Sequence, residues 1–173
     1  MRELIEWIDI WITDADKTDL PRVLLIGDSI TRGYFDAVEN HLAGKAYCAR
    51  QTTSKCVSDP TFNDDLKLML KQYNFSVIHF NNGLHGWGYT EDQYRDGLVK
   101  TVVAVKEHAG DAKLIWASTT PVREKSNLET FGERTDRVKV RKQLASEIMA
   151  EQHILTNRRA FRTGQGSSRL DFW

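Results

Sequence analysis

The chain is poor in cysteine, in net charge and in long apolar runs. Of its 173 residues only Cys48 and Cys56 are cysteines, too few for a disulfide scaffold and without histidines at a metal-ligand spacing, so we expect two reduced thiols. Twenty-four basic residues balance twenty-four acidic ones, a composition that disfavours a nucleic-acid partner or a basic membrane-binding face. The sequence therefore predicts a small-molecule partner.

The hydrophobic pattern of the sequence also predicts neither a membrane-spanning segment nor a targeting signal. No apolar stretch approaches the length that crosses a bilayer. The N-terminal apolar pattern includes Glu3, Glu6 and Asp9, which a secretory signal would not contain, so we expect a cytoplasmic location. Without repeats or long linkers, the expected organisation is one domain over residues 1–155, followed by an irregular tail over residues 156–173.

Hydrophobic spacing predicts an alternation of strands and helices. Apolar residues at helical spacing predict helices over 3–12, 30–42, 62–73, 91–108 and 135–152. Short apolar runs predict strands that begin at Pro21 and cover 46–50, 75–80 and 114–118. Strand-to-helix units in succession indicate an α/β fold, a three-layer doubly wound parallel sheet whose strands all end at one rim.

The first of these strand ends carries a candidate nucleophile. The apolar run 23–26 stops at Gly27, and Asp28 and Ser29 then lead into a segment with helical spacing. Backbone N–H groups at a helix N-terminus have no intrahelical partner and can hold a developing negative charge. Ser29 is therefore a candidate nucleophile, and the alternative is that Ser29 or Asp28 only caps the helix.

A second polar strand end follows the run 75–80. The loop reads Asn81-Asn82-Gly83-Leu84-His85-Gly86-Trp87-Gly88, with three glycines and two amides. Parallel strands would bring this loop close to Ser29. His85 in this loop could contact substrate or transfer a proton, or it could make a structural hydrogen bond, and both interpretations remain open. His79 lies inside the strand and is interpreted as a histidine of the core or sheet face.

These two motifs, in this order, resemble the SGNH hydrolases, also called the GDSL lipase/acylhydrolase family. The resemblance covers about residues 20–155 and implies a flavodoxin-like fold with a serine ester hydrolase site. It implies that Ser29 attacks an ester carbonyl and that its own N–H and the Asn82 amide hold the oxyanion. The family's second block supplies a glycine N–H; here residues 51–55 contain no glycine, and a backbone N–H of Thr53 or Ser54 is the predicted substitute. No set of histidines and carboxylates has a metal-site spacing, so we expect no metal and no cofactor.

The C-terminus departs from the family pattern. Members carry a late D-x-x-H motif, after a last strand and before a final helix, and residues 156–173 contain no histidine. We therefore expect the last strand and helix to be missing and the uncovered edge to favour a homo-oligomer. A shifted reading frame is one explanation for the missing motif. Codons for residues 165–170 can be chosen that encode Lys-Asp-Arg-Pro-Asp when they are read one base later, a sequence similar to that of family members. The hypothesis predicts a D-x-x-H motif in another frame of the encoding DNA beyond Leu155.

Three functions remain open at this point. The first is an esterase or deacetylase that hydrolyses small or carbohydrate esters through Ser29, with a base from His85 or from a neighbouring chain. The second is a catalytically impaired relative that binds such esters in the same crevice. The third is an oligomeric interaction module in which the serine is idle.

Overall fold

Strands and helices alternate along the chain in the computed structural model, which describes residues 3–124, 126–127 and 129–157. The elements in chain order are β1 (Ile8–Ile12), β2 (Arg22–Gly27), α1 (Ser29–Leu42), β3 (Tyr47–Thr53), α2 (Phe62–Gln72), β4 (Val77–Phe80), α3 (Glu91–His108), β5 (Lys113–Ala117), α4 (Thr135–Glu151) and β6 (Leu155–Asn157).

The strands form one six-stranded sheet in the order β1-β3-β2-β4-β5-β6. All neighbouring pairs from β3 to β6 are parallel, and β1 joins the β3 edge antiparallel. The five parallel strands have the flavodoxin-like order, in which the direction of the connections reverses between β2 and β4. The predicted doubly wound α/β class is confirmed, and the crevice at this switch point lies between the ends of β2 and β4.

Helices cover both faces of the sheet, so the fold has three layers. On one face α2, α3 and α4 pack together over the larger core, which includes Leu24, Ile78 and Trp116 from the sheet. On the other face α1 packs over a smaller cluster of Leu25, Phe35 and Cys48. The alternation of Leu24 and Leu25 between the two cores explains why β2 is apolar without interruption, as is typical of a strand buried on both faces.

Both cysteines are buried, and neither forms a disulfide in the structure. Burial raises the pKa of the Cys48 thiol to about 11, the nearby Glu39 carboxylate adding to the rise. The thiolate, which is the reactive form, is therefore scarce at neutral pH. Cys48 is a packing residue of the smaller core.

The prediction of a helix over residues 3–12 is wrong. Residues 8–12 form β1, in which Ile8 lies opposite Thr53 and Ile12 opposite Ala49. The apolar positions fit a helical spacing, but the isoleucines also alternate with Asp9 and Trp11 at the period of a strand. The exposed backbone of the β3 edge decides between the two patterns, and the strand is fixed by an ion pair of 2.7 Å between Asp9 and Arg50.

The expectation of a missing last strand also needs correction. Residues Leu155–Asn157 form β6, which pairs parallel with β5 through Ile115 and Leu155. This strand crosses the boundary predicted between residues 155 and 156. The final helix and the place of the D-x-x-H motif fall on residues 158–173, outside the described residues, and association through the sheet edge stays a prediction.

His79 lies in β4 and faces the α1 side of the sheet. Its ring meets the edge of the Tyr34 ring at a centroid distance of 6.4 Å, and its Nδ1 is buried with no hydrogen-bond partner among the described residues. Burial lowers the pKa of the His79 imidazole below its usual value, because a buried charge loses its hydration. The geometry agrees with the interpretation of His79 as a histidine of the core or sheet face.

This burial predicts a loss of stability in mild acid. The unfolded chain binds the His79 proton at the ordinary pKa of about 6.5 and the folded chain only at lower pH, so the free energy of unfolding falls as the pH drops below about 6.5. Urea unfolding at pH 7.5 and 5.5 measures the slope, which His79→Leu should reduce. His153→Asn is the control, since His153 is exposed and asparagine tolerates its positive φ of 54°. Equal slopes in the wild type and His79→Leu would contradict the prediction.

Candidate active site

Ser29 stands at the point where β2 turns into α1. The N-cap is Asp28, whose carboxylate accepts the Ile30 N–H at 2.8 Å. A Cβ on Gly27 would lie 2.0 Å from Thr31 Oγ1, so only a glycine lets the helix begin this close to the strand. Because Asp28 takes the capping role, the exposed Ser29 hydroxyl is left without a hydrogen-bond partner among the described residues. The helix-cap alternative therefore applies to Asp28 and not to Ser29.

Asn82 follows β4, the neighbour of β2 at the switch point, and is buried. Its Nδ2 donates to the Lys55 carbonyl at 3.0 Å, and its Oδ1 accepts the Val57 N–H at 3.2 Å. The Asn82 amide thus ties the loop after β3 to the end of β4. An amide nitrogen carries two N–H donors, and among the described residues the second one has no acceptor, which leaves a donor for an oxyanion.

The backbone N–H of Ser54, one of the two predicted oxyanion donors, already has an acceptor in the structure. Its backbone N–H donates to the Trp7 carbonyl at 3.1 Å, and its Oγ accepts the Trp7 N–H at 3.0 Å. The Thr53 hydroxyl donates to the same Trp7 carbonyl at 2.8 Å. The N–H of Ser54 is therefore engaged in holding the segment before β1, and an oxyanion would have to displace the Trp7 carbonyl from it.

His85 is paired with the N-terminal segment. Its Nδ1 lies 3.1 Å from Oε2 of Glu3, and Oε1 of Glu3 accepts the Gly86 N–H at 2.8 Å. This arrangement matches the structural alternative for His85, since the pair closes a contact across 82 positions in sequence. Glu3 and His85 also line a cavity of about 360 Å³ that is shared with Trp87 and Arg134.

A general base for Ser29 is not found among the described residues. All five histidines of the chain are among the described residues, namely His41, His79, His85, His108 and His153. None of them is hydrogen-bonded to Ser29. A serine hydroxyl is a weak nucleophile without an adjacent base. Among the described residues, the Ser29 hydroxyl therefore has no acid–base partner bonded to it.

Two arginines of α4 and a glutamate of α3, which bind one another, were not singled out from the sequence. Arg137 and Arg141 lie one turn apart on α4 and both bind the Glu91 carboxylate of α3. Arginines on an amphipathic helix are typically exposed, so the residue type alone does not indicate that Arg141 is buried. Their spacing of four residues was the one available signal, and it places both guanidinium groups on the same face of α4.

Two further properties concern the described residues alone. None of their helices combines the length and the hydrophobicity needed to cross a membrane. Within the same ranges, no cluster of three or more histidine, cysteine, aspartate or glutamate side chains has the geometry of a metal site.

The sheet with five parallel strands in the order β3-β2-β4-β5-β6, covered by helices on both faces, is an SGNH hydrolase-like fold. Solved structures have the same fold. The chain is similar to a carbohydrate acetylesterase from Sinorhizobium meliloti at 15% identity and a TM-score of 0.66, over 79% of this chain and 83% of that one. By sequence, no family model and no curated protein matches.

Two more structures have this fold at similarly low identity. An acetylxylan esterase from Geobacillus stearothermophilus is 12% identical with a TM-score of 0.56, over 79% of this chain and 74% of that one. A GDSL-like lipase from Bacteroides thetaiotaomicron is 13% identical with a TM-score of 0.53, over 78% of this chain and 66% of that one. At these identities the similarity concerns the fold.

Proposed function

We propose that the chain is a serine ester hydrolase that acts on small or carbohydrate esters through Ser29. The observation that carries the proposal is the exposed Ser29 hydroxyl, without a capping bond, at the N-terminus of α1, where β2 ends next to β4 and the loop with Asn82 begins. Structures with the same fold include esterases of acetylated carbohydrates, which supports the substrate class.

The proposed reaction has two steps. Ser29 Oγ attacks the ester carbonyl, and the Ser29 N–H and the second Nδ2–H of Asn82 hold the oxyanion. The C–O bond to the alcohol then breaks, the alcohol leaves, and water hydrolyses the acyl-serine to return the free hydroxyl. With no histidine bonded to Ser29, the hydroxyl proton passes to solvent, so esters with good leaving groups, such as nitrophenyl acetate, should react fastest.

A second candidate is a binding protein for acylated sugars with impaired catalysis. This candidate is favoured by the absence of a hydrogen bond between Ser29 and any of the five histidines. A serine without a base would keep its crevice and its oxyanion donors but lose most of its reactivity. Oxyanion donors and binding alone leave about a thousandfold acceleration over water. Weak turnover by itself would therefore not separate the two candidates.

Covalent labelling of Ser29 separates them. The protein is treated with a serine-reactive phosphonate, the modified residue is located by mass spectrometry, and hydrolysis of nitrophenyl acetate is measured in parallel. We expect labelling at Ser29, with labelling and turnover both lost in Ser29→Ala. Ser76→Ala removes another exposed serine, outside the site, and is the control.

Three results would contradict the esterase. Turnover that is unchanged in Ser29→Ala would assign the hydrolysis to another group. Binding of an acetylated sugar, measured by calorimetry without labelling, would favour the impaired relative. The absence of both labelling and binding would leave the interaction module.

A further inference from the structure

The loop between β4 and α3 carries Asn82 and depends on an anchor outside itself. Residues 81–90 include three glycines, which give the backbone many conformations unless other contacts restrict it. Such a loop cannot hold an oxyanion donor in place by its own sequence. The anchor is Arg141 of α4, a charged side chain with no solvent exposure.

The guanidinium of Arg141 binds the loop backbone at three carbonyls. Its Nη1 donates to Gly83 at 3.2 Å and to His85 at 2.7 Å, and its Nη2 donates to Gly86 at 3.2 Å. Its Nε donates to the Glu91 carboxylate at 2.8 Å, which supplies the counter-charge. The planar fork of an arginine can serve these acceptors together, whereas a lysine ammonium is a single point of donation.

The connection from Arg141 to Asn82 is short. Gly83 directly follows Asn82, and the Asn82 carbonyl accepts the Tyr94 hydroxyl at 2.7 Å. The same guanidinium lies 4.9 Å from the centroid of the Tyr94 ring. The two successive carbonyls of Asn82 and Gly83 are therefore held by Tyr94 and Arg141, two side chains that contact each other.

We propose that Arg141 is a positioning residue of the Ser29 site, which fixes the Asn82 amide by binding the loop backbone behind it. This inference rests on the proposed function for its effect on the reaction. Its effect on the Asn82 amide stands independently, because that amide can be observed directly. Displacing a donor by about 1 Å from its productive position costs about a hundredfold in rate.

The test compares Arg141→Lys with Arg137→Lys. Both variants keep the positive charge beside Glu91, but Arg137 binds the more distant carbonyls of Trp87 and Tyr89. We expect Arg141→Lys to lower kcat for nitrophenyl acetate about a hundredfold with KM within about twofold. The Asn82 side-chain amide should exchange its protons faster in NMR spectra. Arg137→Lys should leave the exchange of the Asn82 amide near that of the wild type.

Two additional measurements keep the result decisive. Guanidinium ion added to Arg141→Ala should restore part of the rate and of the Asn82 protection, which a purely structural role would not predict. Should the position 141 variants fail to fold, Glu91→Gln loosens the same guanidinium and is expected to shift kcat and Asn82 exchange in the same direction.

The outcomes distinguish this inference from the proposed function. Wild-type protein that is not labelled at Ser29 would overturn the proposed function, and the NMR comparison would still decide the role of Arg141. Labelling of the wild type, combined with an unchanged kcat and an unchanged Asn82 amide in folded Arg141→Lys, would overturn the inference alone.

Discussion

Replacing Asn82 by alanine is expected to slow acylation of Ser29 by about a hundredfold to a thousandfold. This is the usual cost of removing one oxyanion donor. The variant also loses the bonds to Lys55 and Val57, so the loop after β3 should loosen as well. The second-order rate of phosphonate labelling at Ser29, measured by mass spectrometry, gives the effect on the chemical step. Urea unfolding measures the separate loss of stability.

Asn81→Ala is the matched control for this prediction. The Asn81 side chain donates to the Ala117 carbonyl at 2.6 Å and to the Thr119 hydroxyl at 3.2 Å. It therefore binds the end of β5, while its neighbour binds the loop after β3. The control removes the same amide from the adjacent position and should label at nearly the wild-type rate. Equal labelling rates in the two variants would show that Asn82 is not an oxyanion donor.

The parts of the fold that the sequence predicts are those specified locally. The apolar run before Gly27 makes a strand, Asp28 provides a cap, and the following spacing makes a helix, so the Ser29 turn is contained in about ten consecutive residues. Asn82 is also specified locally, because it lies two residues after the end of a short apolar strand. The rule that parallel strands end at one rim then brings the two together.

The parts that it misses depend on partners far away in sequence. Residues 8–12 fit a helix by spacing, and only the free edge of β3 makes them a strand. The bond that takes up the Ser54 N–H comes from Trp7, which is 47 positions away, and Glu3 reaches His85 over 82 positions. Spacing along the chain carries no information about such pairs. A residue type therefore predicts what a side chain can bind, and the fold decides whether that capacity is already used.

Replacing Glu91 by alanine is expected to lower the free energy of unfolding substantially. Its carboxylate is the counter-charge for the fully buried Arg141 and also binds Arg137. Glu91→Ala leaves a charged guanidinium in the core without an anion, and breaking a buried pair in this way costs about 3–5 kcal/mol. We expect the free energy of unfolding, measured in urea at pH 7, to fall by that amount.

Asp92→Ala separates this effect from the interaction of Glu91 with the helix dipole. Asp92 is the exposed neighbour of Glu91 in the first turn of α3, and losing an acid there costs about 0.3–1 kcal/mol, an amount that salt reduces. The Glu91 effect should persist at high salt, because buried pairs are screened far less than exposed charges. If the two variants lose similar stability and respond alike to salt, the Arg141 charge does not depend on Glu91, and the three backbone carbonyls of the loop are sufficient to hold it.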